Sequence, residues 1–238
     1  MLSHLSRFTR TTPGLEKTLR LIQSICVLAL QVPDLNHVAI SRFGIAKQQL
    51  ALTRRFLRFF NFIECFNRVF GLLGTTPRSM STDSRQSGGG SWGEMITTIL
   101  EISKWSCFGC YFLLEDLTLL HATSIHPLPT TWNKTLLTEA NKFWFYALLF
   151  SLLTSGMSFL SLSFSSSPSS SSNAKKNKRN PTTRSITPFS LFKKVLVDTC
   201  DLLIPGTFLG WIPMQQMGVG VGMVTSTLVS GWEIWRTI

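Results

Sequence analysis

The chain has 238 residues, 44% hydrophobic but only 15% charged, and its 23 Lys+Arg against 12 Asp+Glu give a net charge of +11. A soluble domain carries roughly a quarter charged residues, so this composition argues against a generic soluble enzyme and excludes a disordered or collagen-like chain. An apolar, basic chain suits an anionic membrane surface better than nucleic acid, for which charge is the only support.

Two low-complexity stretches divide the sequence. Residues 74–91 contain Gly88-Gly89-Gly90, and residues 165–188 contain a Ser run followed by Lys175, Lys176, Lys178 and Arg179. Neither holds enough apolar surface to offset the entropy of ordering, so both read as flexible linkers. They separate an N-terminal membrane-binding block (1–73), a middle block (92–164) and a C-terminal block (189–238).

The first block reads as two helices. Thr12-Pro13 is a start signal, Leu15, Leu19, Ile22 and Cys26 share a face, and Val32-Pro33 is a stop. The residues ahead of Glu16, the first acid, are basic and hydroxyl-rich in the manner of a transit peptide, but no cleavage signal follows. The second helix is expected from a Ser41 cap to residue 73. On a helical wheel Ile45, Leu52, Phe56, Phe59, Ile63, Phe66 and Phe70 fall in one stripe. Lys47, Arg54, Arg58 and Arg68 fall opposite, and Arg55 sits at the border. A Phe-rich face opposite a cationic one is what an interfacial helix needs. Leu52, Phe56, Phe59, Ile63, Phe66 and Phe70 are therefore expected to insert among acyl chains, with Lys47, Arg54, Arg55, Arg58 and Arg68 on lipid phosphates. The competing reading is a bundle helix whose polar face is solvated.

The middle block opens with a periodic segment over 95–120 that carries Cys107-Phe108-Gly109-Cys110. No strand precedes this C-x-x-C, and no further ligands stand at a matching spacing, so the pair reads as packed thiols and no metal is expected. Five scattered cysteines fit reduced thiols rather than a disulfide framework. Glu115-Asp116 reads as a helix end at the membrane interface, or as pore carboxylates in a channel. Residues 143–164 are 22 positions without a charge. At ~1.5 Å per residue such a helix crosses a hydrocarbon core of ~30 Å.

The C-terminal block has an amphipathic stretch, 191–204, and a second expected span near 214–235, with Trp211, Trp232 and Trp235 as interfacial aromatics. Gly218, Gly222, Ser226 and Ser230 recur every fourth residue, a ladder that lets membrane helices pack closely and copies self-associate. No alternating strand pattern occurs. The expected fold is all-α: an integral membrane protein with N-terminal amphipathic helices and about two transmembrane helices. Both termini then lie on one side, expected to be cytosolic, with 165–188 on the other. The templates for phosphate, dinucleotide, zinc and nucleophile chemistry are missing from the sequence, so neither an enzyme nor a cofactor is expected.

Four motifs occur in a familiar order. They are the run from Leu15 to Gln23, Tyr111-Phe112-Leu113-Leu114-Glu115-Asp116, Asn141-Lys142-Phe143-Trp144, and Cys200-Asp201-Leu202-Leu203-Ile204 with Phe208-Leu209-Gly210-Trp211. In this the chain resembles the peroxisomal membrane-elongation family, the peroxin-eleven proteins. It departs from them at Leu203, where a small residue or Pro is expected nearby, and in its two linkers, which look like insertions. The resemblance implies a multi-pass peroxisomal membrane protein that elongates the membrane by helix insertion and self-association before fission. Its implied partners are anionic lipids, further copies of itself and the organelle fission machinery. A channel or solute-transport protein of the peroxisomal or mitochondrial membrane is the alternative.

Overall fold

The computed structural model describes residues 2–75, 90–127, 129–165 and 188–238. The expected linkers lie outside these residues except at their ends. The described residues form eight helices: α1 (Leu2–Arg10), α2 (Thr12–Ala29), α3 (His37–Leu57), α4 (Asn61–Thr75), α5 (Gly90–Ala122), α6 (Thr130–Ser165), α7 (Pro188–Phe208) and α8 (Gln216–Thr237). The described residues contain no strand, so the all-α expectation holds.

Local chemistry sets several boundaries. The Thr11 side chain caps α2 by accepting from the Gly14 N–H, with Pro13 in the first turn. Asn36, not Ser41, caps the next helix by accepting from Val38 N–H. After α7, Gly210 takes φ +73°, a left-handed turn that favours glycine, and its N–H donates to the Thr207 carbonyl.

The helix expected over 41–73 is two helices. At Arg58–Phe60 the ladder tightens to i→i−3 bonds: Arg58 N–H to Arg55, Phe59 N–H to Phe56, and Asn61 N–H to Arg58. Neither Pro nor Gly marks this break. Tertiary contacts accompany it: α3 leans on α2, α4 lies along α5, and Arg58 at the joint reaches Glu115 of α5.

The rods form an up-and-down ring. Arg54 of α3 bonds Glu16 and Gln23 of α2. Phe66 and Arg68 of α4 lie against Gly109 and Trp105 of α5. Tyr111 of α5 stacks on Trp144 of α6, centroids 5.3 Å apart. Ser151 of α6 donates to Asp198 of α7 at 2.7 Å. Cys200 and Leu203 of α7 face Gly222 of α8. Arg20 of α2 donates to Ser226 of α8 at 3.0 Å and closes the circle.

The order of these contacts corrects the expected topology. Lys193 pairs with Glu233 while Leu203 meets Gly222, so α7 and α8 are antiparallel. Phe145 meets Trp211 while Ser151 meets Asp198, so α6 and α7 are antiparallel as well. Segments 143–164 and 214–235 therefore run in the same direction, not opposite ones. A chain that crosses a membrane along both must return along α7.

Among the described residues one helix is long and apolar enough to cross a membrane: Thr130–Leu160 within α6, with mean hydropathy 1.6. The second expected span, α8, does not qualify. Gly, Ser and Thr dilute its Val and Met, and Glu233 and Arg236 lie near its end. The distribution of side chains nonetheless departs from that of a soluble domain. Arg20, Gln23, Arg54, Lys104, Glu115 and Asp116 are buried, whereas Phe60, Phe70, Leu153, Phe159, Phe189 and Trp232 are exposed.

Candidate membrane-binding face and ion-pair core

Three of the five cations expected on lipid phosphates turn inward. Arg54 is 9% exposed. Its Nε and Nη2 donate to Glu16 Oε1 at 2.9 and 2.7 Å, and its Nη1 to Gln23 Oε1 at 2.7 Å. Arg58 donates to Glu115 Oε1 at 3.1 Å, and Arg55 lies 3.5 Å from the same oxygen. Lys47 is half-buried. Only Arg68 stands at the surface, bonded to Glu64 one turn away and placed over the Trp105 ring. A wheel shows which side of a helix is cationic but not that α2 and α5 bring carboxylates to it. That is why sequence reasoning sent Arg54, Arg55 and Arg58 to lipid.

Glu115 also accepts from the Tyr111 hydroxyl at 2.9 Å, so it is a hub of the core rather than a free pore carboxylate. Arg20 and Asp201 form a further buried pair, α2 to α7. Burial alone would raise the Glu16 carboxyl, but Arg54, Lys17 and Arg58 outweigh it and hold the pKa at about 2. Asp116 goes the other way. Burial, reinforced by the charge of Glu115 and only partly offset by Arg58, pushes its carboxyl up to about 7. Its Oδ2 is buried without a partner among the described residues.

A carboxyl raised in the folded state binds its proton there more tightly than in the unfolded chain, where 3.8 is the ordinary value. Asp116 therefore erodes stability as pH climbs from about 4 through 7. Asp116→Asn is expected to raise Tm by roughly 2–4 °C at pH 8 and to change it little at pH 4. Thermal melts at the two values check this. An equal shift at both would mean that the charge of Asp116 is not the cause.

The expected insertion residues divide between two environments. Phe56, Ile63 and Phe70 are exposed at 49, 47 and 68%, and Phe60, which borders the stripe, at 65%. Leu52 and Phe59 are half-buried. Phe66 points at α5, where a Cβ added to Gly109 would come within 2.9 Å of its ring. With buried Cys65 and Val69 it forms the side of α4 that packs on α5. The break in the helix is what separates Phe66 from its expected companions.

The small-residue ladder is internal. Gly222 lies against Leu203 and the Cys200 carbonyl, and its neighbour Gly220 against Val27 and Leu28 of α2. Ser226 is fully buried on Arg20, and Ser230 donates back to the Ser226 carbonyl. Gly218 is half-buried beside Met214 of the same chain. At Gly222 and Ser226 the close packing joins helices of this chain and serves ring closure. Gly222→Leu is expected to cost about 1–3 kcal/mol by overpacking, read as a lower Tm in detergent. An unchanged Tm would contradict this packing.

Cys26 and Cys65 are buried thiols, Cys107 and Cys110 are half-buried, and all five cysteines are free. The motif residues that carried the resemblance meet in the core: Glu16, Arg20 and Gln23 from the first, Tyr111 and Glu115 from the second, Trp144 from the third and Asp201 from the last. The family model Peroxisomal biogenesis factor 11 (PEX11) matches residues 2–235. The chain belongs to the PEX11 family. No individual curated protein and no solved structure is significantly similar to it. PEX11 membership places the protein in peroxisome biogenesis and proliferation, in association with the peroxisomal membrane. PEX11 is a biogenesis-factor family rather than a known enzyme family.

Proposed function

We propose that this PEX11 protein elongates the peroxisomal membrane by inserting the apolar side of α3 and α4 into one leaflet and by clustering with further copies. The observation that carries this reading is the exposed apolar set Phe56, Phe60, Ile63 and Phe70. Aromatic residues at a membrane interface expand the leaflet they enter and favour curvature. In this reading α6 crosses the bilayer, and Arg68 meets lipid phosphates at the surface. With the ladder turned inward, copies meet along the outward face of α8, where Val221, Leu228 and Trp232 are exposed. The resulting tubule is what organelle fission machinery then cuts.

The test is peroxisome shape in cells that lack the protein and re-express either the native chain or a Phe60→Glu, Phe70→Glu variant. The native chain is expected to give elongated peroxisomes and the variant unchanged ones. Equal elongation would overturn the insertion reading.

A further inference from the structure

The helices of the ring line an open pocket of about 400 Å³. Five cations line it, Arg20 of α2 with Lys47, Arg54, Arg55 and Arg58 of α3, against one lining carboxylate, Glu115. Adding Glu16 and Asp201, which pair with Arg54 and Arg20 from outside the lining, still leaves five positive charges against three negative. The donors are not exhausted. Among the described residues the Nε atoms of Arg20 and Arg58 are buried without a partner, and Arg20 as a whole is 6% exposed. Lys47 forms no hydrogen bond or ion pair among the described residues. Buried cationic donors left unpaired are costly, and an anion would remove that cost. The remaining wall is apolar, with Val27, Ala140, Trp144, Val219 and Met223.

We propose that this cavity binds one phosphomonoester anion, held by Arg20, Lys47 and Arg58, with the organic part of the ligand against Trp144, Val219 and Met223. Guanidinium forks and an ammonium match the several oxygens and double charge of a phosphomonoester better than a single carboxylate. Asn141 and Trp144 bring the site to the start of the uncharged run 143–164, a depth suited to a lipid headgroup. The same chemistry is offered by a soluble phosphate ester. The site does not depend on the insertion reading, because its walls lie inside the ring and the insertion residues lie outside it.

The test uses the purified full-length protein in a nonionic detergent. Its thermal midpoint is followed against inorganic phosphate, glycerol phosphate, short-chain phosphatidic acid and short-chain phosphatidylcholine. The phosphomonoesters are expected to raise the midpoint saturably, and phosphatidylcholine is not. Stabilisation by phosphate and glycerol phosphate assigns a soluble ligand, and stabilisation by phosphatidic acid alone assigns a lipid. Lys47→Gln, at a half-buried position without a partner, is expected to fold normally and bind about tenfold more weakly, one lost charge-assisted contact. Lys134→Gln, on the exposed surface, should bind as the native chain does. Three results would each overturn the proposal: no saturable shift with any phosphomonoester, an equal shift with phosphatidylcholine, or native affinity in Lys47→Gln.

Discussion

Asp201→Ala is expected to destabilise the protein by about 3–5 kcal/mol, because it strands the buried Arg20 guanidinium. Among the described residues Arg20 would keep Ser226 as its one neutral acceptor, and its Nε is already without a partner. The loss is mostly the cost of an uncompensated buried charge and not the net worth of the pair. A second variant separates the two. Arg20→Leu combined with Asp201→Leu removes both charges, and replacing a buried pair by apolar residues is often close to neutral. It should therefore recover most of the stability that Asp201→Ala loses. Denaturation in detergent measures all three proteins. If the double variant is as unstable as the single one, the pair is holding the ring by something other than charge compensation.

Phe60→Glu with Phe70→Glu is expected to reduce binding to anionic vesicles by more than about a hundredfold. Burying a Phe side chain is worth about 1.5–3 kcal/mol, and two such losses suffice for that factor before the added charges count. Because both side chains are exposed at 65 and 68%, the melting temperature should stay close to native. Phe66→Glu is the informative contrast. That side chain packs on Gly109, so a charge there should lower Tm by itself. Vesicle flotation and thermal melts together distinguish the two classes. Undiminished flotation by the Phe60/Phe70 variant would mean that the exposed aromatics do not enter the bilayer.

Much of the helix content was legible in the sequence because it rests on local signals. The start of α2, the uncharged run in α6 and the stop at Pro33 each follow from a few adjacent residues. The break at Arg58–Phe60 was not legible, since periodicity continues through it and its partners lie on other helices. The cationic stripe misled for the same reason. Arg54 and Arg68 look alike on a wheel, yet one pairs with a carboxylate of α2 and the other with a carboxylate of its own helix. Spacing exposed the small-residue ladder but could not say whether the close neighbour belongs to this chain or another. Direction was hidden too: hydropathy finds candidate spans, whereas the parallel course of α6 and α8 emerges only from their contacts with α7.

Ring closure also constrains when the protein can assemble. Arg20 finds its carboxylate 181 residues downstream and its hydroxyl 206 residues downstream. Until Ser226 has been synthesised, the helix bearing Arg20 carries a basic, half-polar face with nothing to cover it. Contacts this distant in sequence are slow to form, because the entropy of closing so long a loop precedes any gain. The ring is therefore completed only once α8 has been made, and a chain truncated anywhere before α8 leaves α2 open along the side that α8 would fill.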